Sequence, residues 1–188
     1  MIKQIHWLVS GKCVLWLLLI SNTLCAVMLG YSMPKVMAHS DLLPLFDLRS
    51  TGYTYQEAVF LLNRLGVEGR DLYLKYQLVL DAFYPISFGI CYFALSRWLM
   101  EKGQLINRFW WTIALLPFLV CLTDYAENIA ILCMLIDYPD LSETLVSASS
   151  LFTQLKSFFI FINIVGVIIL AVWVVKTCFL NRENRVRS

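Results

Sequence analysis

Residues 109–136, FWWTIALLPFLVCLTDYAENIAILCMLI, form a long apolar run that is interrupted near its middle by charged and amide side chains. About 20 mostly apolar residues allow a helix to cross the hydrocarbon layer of a bilayer, so this run is long enough for one crossing. Asp124, Glu127 and Asn128 lie three and four residues apart, and therefore share one helix face. The stretch predicts a membrane helix with acidic groups at mid-depth.

The whole chain has the composition of an integral membrane protein. Of its 188 residues 60% are hydrophobic and 15% are charged, and its mean hydropathy is +0.70. Soluble domains carry about 45–50% apolar and about 25% charged residues. We predict an all-α integral membrane protein, a single four-span domain over residues 1–188. Its transmembrane helices are expected at about residues 13–33, 74–99, 109–136 and 152–176.

The first apolar block raises the alternative of a cleaved signal peptide. Its run CVLWLLLISNTLCAVMLG is longer than the apolar region of about 7–15 residues that signal peptides carry. No A-x-A cleavage site follows it closely. We therefore expect an uncleaved first helix.

Lysine and arginine residues near the helix ends predict the orientation of the chain. The loop between the second and third blocks carries Arg97, Lys102 and Arg108, whereas the next loop, DYPDLSETLVSASS, is acidic and has no basic residue. Both chain ends are basic, so we expect both termini in the cytoplasm, in a bacterial inner membrane or a eukaryotic endomembrane. The basic residues of the ends are Lys3, Lys12, Lys176, Arg182, Arg185 and Arg187.

The segment between the first two membrane helices contains a further helix signal, GYTYQEAVFLLNRLG, at residues 52–66. Thr54 and Glu57 have the spacing of a capping box, and Gly66 is suited to end a helix. The apolar residues form one stripe. We predict a short amphipathic extracytoplasmic helix over about residues 54–66. It either lies on the outer membrane surface, which amphipathicity alone favours, or packs over the bundle mouth as a lid.

A second deep acid, Asp81, lies on the second membrane helix in YQLVLDAFYPISF. At 1.5 Å per residue, Asp81 and Glu127 each lie roughly 15 Å from the outer end of their helices. The short loop between these helices makes them antiparallel neighbours, so the two acids are expected to face each other. A charge at a helix centre costs at least about 2.5 kcal/mol, so we interpret Asp81, Asp124 and Glu127 as catalytic.

Other polar groups extend this layer. Pro85 has no N–H, which leaves the carbonyl of Asp81 without its helical partner. Asn22 and Asn163 are interpreted as ties between helices. Lys156 is interpreted as an anchor that reaches toward the membrane surface, with the counter-ion of the acids as the alternative. The candidates for binding a substrate or an ion are Tyr73, Gln77, Tyr84, Asn128 and Lys156.

Several classes of site are disfavoured. His6 and His39 both lie outside the polar layer, which argues against histidine triads and histidine-rich zinc sites. No G-x-S-x-G motif, glycine-rich phosphate loop or C-x-x-C pair occurs, and the six cysteines lie within or beside apolar blocks as small hydrophobes. The net charge of +2 implies no nucleic-acid partner. The choice of metal or cofactor stays open.

Three functions fit these acids. The first is a membrane protein that binds or transforms a lipid-like or apolar small molecule by acid–base chemistry, with the bilayer and that ligand as partners. The second is a proton- or cation-coupled carrier or channel subunit, which at this length would form a homo-oligomer and shows no inverted repeat. The third is a non-catalytic partner or assembly protein that docks through its outer helix. We rank the first ahead.

The cavity that serves the acids is expected to open toward the outer face. The outer end of the second helix is polar, whereas its cytoplasmic end, ICYFALSRWL, is bulky and apolar. The outer helix is the element expected to cover the cavity and exclude water. In that arrangement Leu62 or Leu65 contacts the second helix or the cavity rim.

The orientation leads to a labelling test. Cysteines introduced by Ser147→Cys and Ser188→Cys should lie on opposite sides of the membrane. A membrane-impermeant maleimide applied to sealed vesicles should modify one and spare the other, with the unsubstituted chain as the control. Modification of both from the same side would contradict four spans with both ends cytoplasmic.

Overall fold

The computed structural model describes residues 10–105 and 107–186, and it gives residues 180–186 by their backbone alone. Lys3, His6, Arg187 and Ser188 lie outside the described residues. The described part is all-helical and has no strand. Its helices are α1 (Gly11–Val27), α2 (Met33–Met37), α3 (Tyr55–Leu72), α4 (Leu78–Lys102), α5 (Arg108–Asp137) and α6 (Glu143–Val186).

Four helical stretches are long and apolar enough to cross a membrane, which matches the number predicted. They are Gly11–Ser40, Tyr55–Lys102, Arg108–Asp137 and Glu143–Phe179. The first continues past residue 33 because a π turn, Met28–Ser32, leads directly into α2. Pro34 lies in the first turn of α2, directly after this π turn.

The predicted outer helix forms the first part of α3. Thr54 Oγ1 accepts from the N–H of Glu57 at 3.3 Å, and Glu57 Oε2 accepts from the N–H of Thr54 at 2.7 Å, so the capping box is present. At Gly66 the backbone leaves the helix with φ 63° and ψ −172°, a conformation that favours glycine. The chain then becomes helical again and runs through a π turn, Tyr73–Gln77, into α4.

The outer helix packs onto the bundle through its apolar stripe. Ala58, Leu61, Leu62 and Leu65 are buried in one cluster that includes side chains of α5 and α6. Arg70 Nη1, later in the same helix, donates to the carbonyl of Leu62 at 2.8 Å. The bundle therefore covers the apolar stripe of this helix, and the stripe is not left to face a lipid surface.

The bundle is arranged around α5. This helix packs against α4 on one side and α6 on the other, while α1 packs mainly against α4. The end away from the outer helix has its own core cluster, which includes Met100, Ala114 and Leu170. Large apolar side chains on the outward faces of α1 and α6, such as Trp16 and Phe161, are exposed, as expected for surfaces that contact lipid.

The packing of the outer helix can be tested by truncation. Leu62→Ala should lower the unfolding free energy by about 2–5 kcal/mol, because it leaves a cavity in the core. Phe60→Ala is the matched control, since Phe60 lies on the same helix and is exposed. Thermal unfolding of the detergent-solubilised chain measures both. Equal melting temperatures for the two variants would contradict this packing.

Candidate functional site

A cavity of about 220 Å³ lies where α1, α4, α5 and α6 approach the loop between α2 and α3. Its ionisable lining residues are Asp47 from the loop, Asp81 from α4, Asp124 from α5 and Lys156 from α6. Tyr84 also lines it. The rest of the lining is Cys25, Met28, Leu29, Met33, Leu48 and Ile160. The cavity is therefore mostly apolar, with a concentrated group of charged side chains.

Asp81 and Asp124 are buried carboxyl groups that line this cavity, with exposures of only 2% and 3%. Asp81 Oδ2 accepts from Gln77 Nε2 at 2.8 Å. Asp124 Oδ1 accepts from Lys156 Nζ at 3.3 Å and from Asn128 Nδ2 at 3.4 Å. Within the described residues, the second oxygen of each carboxyl has no hydrogen-bond donor. Both groups thus keep an acceptor available to a ligand.

Lys156 is the counter-ion of the acids, and the interpretation as a surface anchor is wrong. Its side chain is 10% exposed, and its ammonium forms ion pairs with Asp124 and Glu127. A lysine with two carboxylates within reach gains charge-assisted hydrogen bonds, whereas a buried carboxylate without a cation is costly. The side chain therefore turns into the bundle.

Glu127 lies behind Lys156 and is not among the residues that line the cavity. It is fully buried, and Thr153 Oγ1 donates to its Oε1 at 2.7 Å. In the described part of the chain, no hydrogen bond or ion pair joins it to Asp81, the acid that it was expected to face. Its contacts make it a partner of Lys156, whereas Asp81 and Asp124 are the acids at the cavity.

The remaining predicted binding residues divide into one lining residue and three supporting ones. Tyr84 lines the cavity, while Tyr73, Gln77 and Asn128 are not among its lining residues. The hydroxyl of Tyr73 donates to Asp47 Oδ2 at 2.5 Å, and Gln77 holds Asp81. Asn128 donates to Asp124. These three side chains orient the carboxyl groups that line the cavity.

Pro85 determines how α4 and α5 join beside the site. The carbonyl of Asp81, which Pro85 deprives of its helical donor, accepts from Asn128 Nδ2 at 3.4 Å. One residue further on, the carbonyl of Ala82 accepts from the hydroxyl of Tyr125 at 2.7 Å. Two polar side chains of residues 124–128, Tyr125 and Asn128, therefore donate to backbone carbonyls in the turn of α4 that precedes Pro85.

Asp47 is a site residue that the sequence did not reveal. It lies in a short 3-10 turn, Phe46–Leu48, and one of its oxygens is buried without a donor among the described residues. In sequence it is a single acid within the apolar run LLPLFDL of residues 42–48, and its position between Phe46 and Leu48 is the signal that could have indicated its burial. Its place in the site depends on how the loop is anchored.

Aromatic packing anchors this loop. Phe46 is fully buried, with its ring centroid 4.7 Å from that of Tyr53 and 6.3 Å from that of Tyr73. Tyr53 donates through its N–H to Ser150 Oγ at 2.8 Å and through its hydroxyl to Ser149 Oγ at 2.6 Å. Burial raises the pKa of the Tyr53 phenol well above its ordinary value, so the phenol remains a donor.

Two further expectations need correction. The cavity lining includes Asp47 and Leu48 of the loop but no residue of 54–65, so the outer helix is not the element that covers it. Asn22 is exposed, and its Nδ2 donates to the carbonyl of Leu18 in its own helix at 2.7 Å, so it does not tie helices together. Asn163 is buried as expected, but its amide has no partner among the described residues.

The carboxyl groups are not arranged as a metal site. Within the described ranges, no group of three or more histidine, cysteine, aspartate or glutamate side chains is placed to hold a metal ion. The cation that the acids do contact is the ammonium of Lys156. The arrangement is suited to hydrogen bonding, ion pairing and proton exchange with a small molecule.

Comparisons with known proteins found no match to a family model, to a curated protein or to a solved structure. The functional argument therefore depends on the geometry of the site. That geometry shows a multi-pass, membrane-like helical protein with charged side chains buried among its helices.

The buried ion pairs can be tested by removing the lysine. Lys156→Met should lower the unfolding free energy by about 3–5 kcal/mol, because Asp124 and Glu127 lose their cation. Lys75→Met is the control, since the exposed Lys75–Asp71 pair should contribute about 1 kcal/mol or less. Thermal unfolding in detergent is the measurement. Adding Glu127→Gln to Lys156→Met should restore part of the lost unfolding free energy, because one unpaired carboxylate is removed. A double variant no more stable than Lys156→Met would contradict the Lys156–Glu127 ion pair.

Proposed function

We propose that this protein binds an amphipathic, lipid-like small molecule in the cavity and acts on its polar part through Asp81 and Asp124. The observation that carries the proposal is the composition of the lining, in which two buried carboxyls and one lysine lie among apolar side chains. Ligand pockets typically combine an apolar lining with a few polar groups that orient the ligand.

The surroundings of the cavity favour entry from the bilayer. Leu29, beside α1, and Leu48, in the loop, both line the cavity and are 52% and 41% exposed. Ile160 of α6 also lines the cavity. Because α1 packs mainly on α4 and α6 mainly on α5, a lateral opening between α1 and α6 is the proposed route. An apolar rim suits a ligand that arrives from lipid.

Two of the three lining acids, Asp81 and Asp124, lie in different environments, as an acid–base pair requires. Asp124 is ion-paired with Lys156, whereas the hydrogen-bond partner of the Asp81 carboxyl is the neutral amide of Gln77. In the proposed division, Asp124 keeps its charge beside Lys156, and Asp81, which has no cation beside it, is the group that exchanges a proton with the ligand. Glu127 keeps Lys156 in place and exchanges no proton with the ligand.

A retention experiment tests the proposal. The purified chain is incubated with a total membrane lipid extract and washed, and the bound molecules are identified by mass spectrometry. Asp81→Asn and Asp124→Asn should each reduce the retained ligand by about tenfold or more, the loss expected from one hydrogen bond to a charged group. Glu68→Gln, which removes an exposed acid of α3, should retain it.

Circular dichroism on the same samples verifies that each variant remains helical. A ligand retained equally by the wild type and by both folded cavity variants would contradict the proposed role of these acids. Retention of no lipid-like molecule by the wild type would contradict the proposed function itself.

A further inference from the structure

The polar part of the cavity points to the chemical class of its ligand. We infer that the ligand carries a cationic ammonium group on an apolar chain, an inference that rests on the proposed function. The contacts of the carboxyl groups, the distribution of charge and the size of the cavity each support it.

The cavity offers hydrogen-bond acceptors, and three of the donors beside them are already engaged. Asp81 and Asp124 each have one oxygen without a donor among the described residues, and Oδ1 of Asp47 is buried without one. The neighbouring donors, Lys156, Tyr73 and Gln77, already donate to these same carboxyls. A ligand that supplies several N–H donors satisfies the free oxygens, and an ammonium has up to three.

The charges favour a cation over an anion or a neutral alcohol. Three carboxyl groups line the cavity with one lysine, and that lysine also pairs with Glu127 behind it. An anionic head group would add a like charge to a poorly solvated space, whereas an ammonium would compensate the acids already there. A hydroxyl group could donate only one hydrogen bond and would leave the charge unchanged.

The apolar lining accounts for the rest of the ligand. At about 220 Å³ the cavity is smaller than the roughly 300–1,000 Å³ typical of sites that enclose a whole small molecule. It therefore suits a head group and the first carbons, with the remaining chain lying between α1 and α6. Met28 and Met33 form part of the wall, and methionine side chains adapt to chains of different shape.

The inference can be tested with four probes that separate charge from chain length. The full-length protein in phosphatidylcholine nanodiscs is titrated with dodecylamine, 1-dodecanol, dodecanoate and butylamine, and native mass spectrometry gives each Kd. Empty nanodiscs correct for partition into lipid. Dodecylamine should bind about tenfold or more tightly than dodecanol, since a charged hydrogen bond exceeds a neutral one. Dodecanoate and butylamine should bind more weakly still.

Variants then locate the bound amine. Asp124→Asn and Asp81→Asn should each weaken dodecylamine binding about tenfold and leave dodecanol binding nearly unchanged, because only the ammonium loses an ion pair. Asp47→Asn removes the third lining carboxyl, which lies in the loop away from the helix core. Glu68→Gln should bind like the wild type. Because the probe series uses the wild-type protein, the test stands even where a variant fails to fold.

The outcomes separate this inference from the proposed function. Equal binding of dodecanol and dodecylamine would overturn the ammonium assignment and leave a lipid-like ligand in place. Binding of butylamine as tight as that of dodecylamine would overturn the apolar chain and indicate a water-soluble amine. Binding of no dodecyl probe would overturn both proposals.

Discussion

Lys156 of α6 pairs inside the bundle with Asp124 and Glu127 of α5. The two acids lie three residues apart and share one face of α5, so a single ammonium reaches both. Burial of two carboxylates and a lysine among apolar helices is tolerated only when the charges meet. This contact therefore fixes the rotation of α6 relative to α5. It also brings Thr153 to Glu127 and Lys156 to the cavity.

The contact between α4 and α5 follows a related constraint. A carbonyl that a proline leaves without its helical donor needs another hydrogen-bond donor. Pro85 leaves the carbonyl of Asp81 open, and Asn128 donates to it, while Tyr125 donates to Ala82. Asn128 also donates to Asp124, so one amide links the carbonyl of Asp81 in α4, which lacks its helical donor, to the ion-paired acid of α5. The open carbonyl beside Pro85 and the charged cluster are thus joined through Asn128, and together they place the carboxyls of Asp81 and Asp124 beside the cavity.

The loop between α2 and α3 completes the site through packing of its aromatic residue. Phe46 is enclosed by Tyr53 and Tyr73, and the hydroxyl of Tyr73 donates to Asp47. A third carboxyl thereby reaches the cavity from outside the long helices. Because the loop is held by contacts with α6 through Ser149 and Ser150, changes in the position of α6 would also affect the cavity lining. The proposed cation-binding site depends on all of these elements together.

The sequence by itself determined the number of long apolar helices, the capping box at Thr54, the break at Gly66 and the burial of Asp81, Asp124 and Glu127 among the helices. These features follow from local rules of hydropathy, helix capping and helical periodicity, which act over a few consecutive residues. Only the tertiary structure decided which acids line the cavity, that Lys156 turns inward, and that the loop carrying Asp47, and not the outer helix, contributes to the cavity lining. Each of these depends on contacts between residues far apart in sequence, such as Lys156 with Asp124 or Tyr73 with Asp47. The pattern of neighbouring residues does not specify which distant residue a side chain will contact.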